Sequence, residues 1–466
     1  MRLIVLARYL SPDDFGLMGV VLLVMSLLEI ISTTGFDQAL IQKKEDVTNY
    51  FDTVWYVSIV RGLILGLFIY ILAPLAGAFF KEPSSVPVLR IMALSPLLIG
   101  FKSPGLIEVN RELDFKKIVV FDFSRAIVVA SIAGLLAFEL RNVYALIIAS
   151  LVDSFLISLN SFLIHKYRPR KNLKLKYVRE LWGFGKWIFS SKIVHYLFND
   201  GDDWVVGRIL GTQALGFYQT AYNFGCAPMT EITNVFSKVA FPTFSSIQSD
   251  IEKSRSAYLR ILQVIMIFST PVALGIFSVA KDGVAIFLGN KWLPMVSSLQ
   301  ILVFWGLIRS FRATTGPLLL ANGRPDAVTK FTTIKVIILA VLIFPLTHQW
   351  GYVGTSWAVL IASIIELPLI INSMTNIMGF KAWDLIRYFL QPFIAGIPMV
   401  IGVYLTKILL ESWNSIIRLG LLCIVGVLIY TVITYLVDNR YQWGLLTSVM
   451  KAIEHSGLPL FKMKKD

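Results

Sequence analysis

Cysteine and histidine are nearly missing from this chain: two and four of them stand among 466 residues. Cys226 and Cys423 both fall inside apolar stretches, so they read as small fillers and argue against a disulfide framework. His165, His195, His348 and His455 have no metal-ligand spacing, so no metal site is expected. No glycine-rich phosphate loop is present, which argues against nucleotide hydrolysis, and no cofactor is implied. Charge is scarce too. Asp, Glu, Lys and Arg make up 15% of the residues, where a soluble domain carries about 25%.

Apolar residues fill the space that charge leaves. They make up 56% of the chain, and the mean hydropathy is +0.71. A water-soluble fold cannot hide that much apolar surface, so the chain reads as a polytopic membrane protein. Five uncharged runs support this: Gly62 to Phe80, Ile261 to Ala280, Trp292 to Ile308, Tyr388 to Thr406 and Leu419 to Val437. Each approaches the roughly 20 residues that a helix needs to cross hydrocarbon. Strand-period alternation is absent, and helices satisfy their own backbone in lipid. Broken runs complete thirteen expected spans, near 15–36, 53–79, 86–107, 118–138, 142–164, 181–210, 214–240, 256–281, 293–320, 328–349, 352–378, 388–410 and 415–437. Residues 1–9 resemble the tail of one more, and no cleavable signal peptide is evident.

The net charge of +14 is an orientation signal. Alternate connections carry 24 Lys and Arg on one side, seven of them between Lys166 and Arg179, against five on the other: Lys81, Arg141, Lys281, Lys291 and Arg418. That asymmetry places the richer side in the cytoplasm. It attracts anionic lipid headgroups and makes nucleic acid a poor partner.

The chain repeats itself. ARYLSPDDFG (Ala7 to Gly16) returns two hundred residues later as GRILGTQALG (Gly207 to Gly216), and LIEVNRELD (Leu106 to Asp114) returns as LLLANGRPD (Leu318 to Asp326). A unit of about 200 residues with six spans returns to the side it left, so the halves are parallel repeats about an axis along the membrane normal. The expected organisation is an N-terminal lobe 1–164, a basic cytoplasmic linker 165–180, a C-terminal lobe 181–378, and an extra helix pair with a basic tail, 379–466. A full span precedes Gly211, yet only ten residues precede Ser11, too few to cross a bilayer at about 1.5 Å per residue. A start internal to the first helix is the expectation. The alternative is an odd span count with an outside N-terminus.

FGKWIFSSKIVHYLFNDGDDWVVGRILGTQALGFYQTAYNF, followed by FPTFSSIQSD (Phe241 to Asp250), resembles the polysaccharide-exporter, Wzx-like branch of the multidrug/oligosaccharidyl-lipid/polysaccharide superfamily. ARYLSPDDFG resembles that branch's opening signature. Asp203, Gly207, Gly211, Gly216, Tyr218 and Ala221 fill the motif of an aspartate, glycines around LG and a G-x-Y-x-x-A turn. The resemblance implies an all-α fold of two six-helix lobes plus the pair 388–410 and 415–437. Most of the first helix is missing from that pattern. It also implies flipping of undecaprenyl-diphosphate-linked oligosaccharide across the cytoplasmic membrane, with polysaccharide polymerase and chain-length proteins as partners.

Charges inside spans mark the candidate site, because a charge at mid-bilayer costs about 2.5–3.5 kcal/mol and normally faces a cavity or a partner. The cations are Arg61, Arg125, Arg309, Arg312, Lys335, Lys186 and Lys192; any of them could grip a diphosphate, arginine with a bidentate fork. Snorkelling or an internal ion pair is the alternative for each. Glu29, Asp122, Asp153 and Asp203 are the candidate carboxylates for a coupling H+ or Na+; Asp202, Glu231 and Glu366 also lie in spans. Trp55, Trp187 and Trp204 fit an interfacial belt better than sugar stacking. Two other functions compete. A membrane polymerase or ligase needs a substantial outer loop, and the longest outer connection here is 281–291. A drug/cation antiporter of the same superfamily would favour an anionic cavity.

Overall fold

The computed structural model describes residues 2–441 except 34, 44–46, 113, 171 and 249, and it leaves out the side chains of 182–195 and of 2, 38, 42, 115, 197, 198, 238, 239, 241, 242 and 441. All regular structure among the described residues is helical. The chain runs through α1 (Arg2–Tyr9), α2 (Pro12–Ile31), α3 (Phe36–Gln42), α4 (Phe51–Phe80), α5 (Ser85–Met92), α6 (Leu94–Gly100), α7 (Gly105–Arg111), α8 (Phe115–Leu140) and α9 (Tyr144–Ile164). It continues through α10 (Leu175–Leu210), α11 (Thr212–Ser246), α12 (Ile251–Phe287), α13 (Val296–Arg312), α14 (Thr315–Ala321), α15 (Pro325–Met378), α16 (Ala382–Leu390), α17 (Phe393–Leu409) and α18 (Ser415–Tyr441). The basic tail 442–466 lies outside the described residues.

Nine helical stretches among the described residues are long and apolar enough to cross a membrane, and the bent run from Ser85 to Arg111, which turns by 67°, makes a tenth. Helix α15 is two spans in one. Trp350 and Gly351 leave helical geometry, and Gly351 takes φ 60°, a left-handed conformation that costs glycine little. Helices α10 and α11 have 36 and 35 residues, the length of a span, but fall short in apolarity. They carry Asp200, Asp202, Asp203 and Glu231, as suits helices that face protein or water rather than lipid.

Element boundaries recur with the sequence repeat. Phe51 and Ile251 open α4 and α12; Gly105 and Thr315 open α7 and α14; Phe115 and Pro325 open α8 and α15. The turn after α8 is made by Arg141 in the left-handed region (φ 50°), and 210 residues later the turn inside α15 is made by Gly351 in that same region. At the start of α2, Ser11 forms a capping box with Asp14: its Oγ accepts from the Asp14 amide at 3.2 Å, and its own amide donates to Asp14 Oδ2 at 2.9 Å. Residue packing separates two compact units, Met1–Gln219 and Thr220–Asp466.

The basic linker is stapled to the first unit. Tyr167 donates its hydroxyl to Asp52 at 2.6 Å, the Arg170 amide donates to the same carboxylate at 3.0 Å, and the Lys174 amide donates to Thr53 Oγ1 at 3.1 Å. Lys43 pairs with Glu180, and its ammonium holds that carboxyl below the usual carboxylate range. If the charge asymmetry sets orientation, Asn172→Cys, at an exposed position, will be protected from an impermeant thiol reagent on intact cells, while Ser412→Cys, also exposed, will be labelled. Labelling at 172 with protection at 412 would reverse the topology.

Candidate functional site

One charge cluster of the second unit is built on α13. Trp305, Arg309 and Arg312 succeed one another at helical spacing on α13, so they share a stripe. Arg309 lies 13 residues past Val296, about 20 Å along the helix axis, well inside a span. Its Nη1 donates to the Tyr222 hydroxyl at 3.1 Å, and its guanidinium carbon sits 5.4 Å from the centre of the Trp305 ring. Tyr222 packs on the same indole at 5.1 Å between ring centres. From the first half of α15, Lys335, only 3% exposed, places its ammonium 5.4 Å from that ring. From the second half, the fully buried Glu366 approaches Arg312 to 2.9 Å. The approach is a charge contact, since neither Glu366 oxygen has an aligned hydrogen-bond donor among the described residues. Arg309, Arg312, Lys335 and Glu366 thus gather around one indole, and the cations among them can hold an anion.

The first unit carries Arg61 on α4. Its Nε donates to Ser32 Oγ at 3.1 Å and its Nη2 to the Glu29 carbonyl oxygen at 3.2 Å. No carboxylate lies within salt-bridge distance of Arg61 among the described residues, whereas Lys102, on the same cavity of about 210 Å³, pairs with Asp37 at 3.2 Å. Glu29 also lines that cavity.

Arg125 is placed differently. It bonds Asp153 at 3.0 Å and approaches Asp122 at 3.4 Å, an internal ion-pair network that uses one candidate cation and two candidate coupling carboxylates. Asp203 accepts from Gln219 Nε2 at 2.9 Å, and buried Asp202 accepts from the Tyr218 hydroxyl at 2.5 Å. Lys186 and Lys192 lie on α10 outside the residues whose side chains are described. The sequence places Arg309 and Arg312 within a span; it does not report that Arg312 meets Glu366. The two are 54 positions apart, and no pattern along one helix reports a partner on another.

The repeated motifs meet. The N-terminal turns of α2 and α11 cross so closely that a Cβ on Gly16 would stand 1.7 Å from the Thr212 carbonyl oxygen, and one on Gly216 would stand 2.0 Å from the Pro12 carbonyl oxygen. Thr212 occupies the place of Pro12, two hundred residues on, so the contact is reciprocal. Gln213 donates to Asp13 at 3.1 Å, another pair two hundred apart, and Thr212 donates to Glu82 at 3.2 Å. Absence of side chains at Gly16 and Gly216 lets the backbones touch, as small residues do between membrane helices. The crossing sits at the end that the charge asymmetry assigns to the outside.

A family model described as "Polysaccharide biosynthesis protein" matches residues 5–297. The lipopolysaccharide biosynthesis protein WzxC of Escherichia coli (strain K12) is 28% identical over 414 residues, covering 88% of this chain and 84% of that protein. The succinoglycan biosynthesis transport protein ExoT of Rhizobium meliloti (strain 1021) is 27% identical, covering 95% of this chain and 90% of its own length. Among solved structures, the lipid II flippase MurJ in an inward closed conformation superposes with a TM-score of 0.76 at 17% identity, over 94% of this chain and 96% of MurJ. An inward-facing multidrug resistance MATE family transporter superposes with a TM-score of 0.60 at 14% identity, over 82% of this chain and 95% of its own. At those identities the likeness establishes an all-α integral membrane fold of the transporter type.

Proposed function

From the premise that this chain belongs to the polysaccharide biosynthesis protein family, we propose that it flips polyprenyl-diphosphate-linked oligosaccharide across the cytoplasmic membrane by alternating access. The observation that carries this reading is the gathering of Arg309, Arg312 and Lys335 around Trp305, on helices long and apolar enough to cross a membrane. A diphosphate suits these cations in charge, arginine grips its oxygens through a planar fork, and the attached lipid keeps the group in the membrane. The Tyr222–Trp305 pair is a stacking surface next to the diphosphate, suited to the face of a sugar ring.

The cycle needs no catalyst and no nucleotide. A cavity open at one end accepts the diphosphate and sugars, the halves rock, and the opposite end opens. Within the first unit, contact of Gly16 with Thr212 and of Gly216 with Pro12 joins the two repeated motifs and is the outer latch, formed during loading from the cytoplasm and parted for release. Glu29 and Asp203 are the carboxylates left for a coupling ion, because Asp122 and Asp153 are occupied by Arg125. A cation antiporter is disfavoured by the sign of the charge around Trp305.

Deleting the gene and extracting lipid-linked intermediates tests the reading. The expected result is a complete repeat unit on polyprenyl diphosphate, accumulated on the inner face and returned to normal by the intact gene. Normal surface polysaccharide with no accumulation would refute it, and accumulation on the outer face would point to a polymerase instead.

A further inference from the structure

The pair α17–α18 is fastened to α12 by different means at its two ends. At the turn between the two helices, Asp282 of α12 accepts from Arg418 Nη2 at 2.8 Å and approaches Lys407 at 2.5 Å. Further along, Leu274, Ala395, Met399 and Tyr430 make a small apolar core. Near the start of α17 the contact turns polar. Tyr430 donates its hydroxyl to the Ile267 carbonyl oxygen at 2.8 Å. Gln391, in the break between α16 and α17, is 6% exposed, yet neither its Oε1 nor its Nε2 has a hydrogen-bond partner among the described residues. Thr434, one turn past Tyr430 on α18, has a buried hydroxyl in the same condition. Gln391, Thr434 and Tyr430 line one cavity of about 10 Å³, whose other lining side chains are apolar.

A side-chain amide offers two donors and an acceptor, and burying it unpaired is costly. The helices around it belong to stretches long and apolar enough to cross a membrane, where hydrocarbon supplies no partner either. Pro392, next to Gln391, has no amide hydrogen to offer, so the break in the chain does not close the gap. A cavity of about 10 Å³ has room for one water and nothing larger. No carboxylate lines it among the described residues, so a metal ion would lack both charge balance and enough oxygens. We infer that the cavity binds a single water molecule that bridges the Gln391 amide to the Thr434 hydroxyl, with the remaining lone pair of the Tyr430 oxygen as a third contact. Two to four polar partners are what an internal water needs. The water is the polar joint between α12, the α16–α17 break and α18. A bridging water holds nearly as well as a direct bond and, being unattached to the chain, follows small shifts of its partners. This end of the pair can therefore yield while the ion pairs of Asp282 hold the other.

The test is X-ray radiolysis of the full chain in nanodiscs of phosphatidylethanolamine and phosphatidylglycerol, after rapid mixing into heavy-oxygen water. Hydroxyl radicals form from bound as well as bulk water and label the side chains beside it. Tyr430, only 8% exposed, is expected to be hydroxylated with ordinary oxygen after mixing, whereas Trp413, 51% exposed in the turn between α17 and α18, takes heavy oxygen at once. Phe244, buried away from the cavity, is expected to stay unlabelled. Gln391→Leu with Thr434→Val, which removes the polar partners, is expected to abolish labelling of Tyr430. Gln391→Leu alone is expected to lower the melting temperature, because it displaces the water and leaves Thr434 unpaired. In a dry cavity the same change would relieve an unpaired amide and raise it. No label on Tyr430 in the parent, or label that persists in the double variant, would overturn the water site. So would heavy oxygen reaching Tyr430 as early as Trp413, or a raised melting temperature.

Discussion

Replacing Arg309 by alanine is expected to abolish surface polysaccharide while the protein accumulates and inserts at its normal level. Arg309 is exposed on a helix whose neighbouring residues are buried. Its described contacts are the Tyr222 hydroxyl and the Trp305 ring, and neither needs the charge in order to stay folded. Losing a charge-assisted contact to a phosphate oxygen costs about 1.5–3 kcal/mol, which is about ten- to a hundredfold in binding. Arg309→Lys keeps the charge and loses the fork, so partial export is expected. Arg312→Ala should behave otherwise, because it strips the 2.9 Å partner from the fully buried Glu366. Breaking such a pair costs about 3–5 kcal/mol, and the protein level itself should fall. Quantifying capsule or lipopolysaccharide beside membrane abundance separates the two. Unchanged export in Arg309→Ala would remove the residue from the site.

Gly16→Ala and Gly216→Ala are each expected to stop transport with the cavity held open to the outside. A Cβ at Gly16 would come within 1.7 Å of a backbone carbonyl, against roughly 3.5 Å for unbonded heavy atoms in comfortable contact. The obstacle is main chain, so no rotamer change relieves it and the two helix starts must part. Asp13 accepts from Gln213 in the closed contact, so Asp13→Cys should react faster with an impermeant maleimide in either alanine background than in the parent. Gly134→Ala is the matching control, since the nearest atom to its Cβ would be Val5 Cγ1 at 3.6 Å, and export should be unaffected. Wild-type export in both alanine variants would dismiss the crossing as a gate.

Apolar runs and the break at Gly351 mark spans in the bare sequence, because lipid imposes one length on every crossing helix. The repeat is legible there because Gly16 and Gly216 tolerate no side chain, so the motif around them stays recognisable. The spans expected at 181–210 and 214–240 fall on α10 and α11, which are long but less apolar than the other spans. Pairings are the hidden part. Arg125 looks like a cavity cation until Asp153, 28 residues later on α9, is seen 3.0 Å away. Arg61 has no carboxylate near it on α4, and only the fold brings α2, with Glu29 and Ser32, against it. A helical pattern reports its own face and says nothing about the helix opposite.

The crossing of α2 and α11 is self-complementary. Residue 16 meets 212 and residue 216 meets 12, the pattern that identical subunits make across a symmetry axis. In a pair of identical subunits one glycine codon serves both sides of such a patch. Here both sides belong to one chain, so each needs its own glycine, and a change at either position alone leaves a mismatched pair.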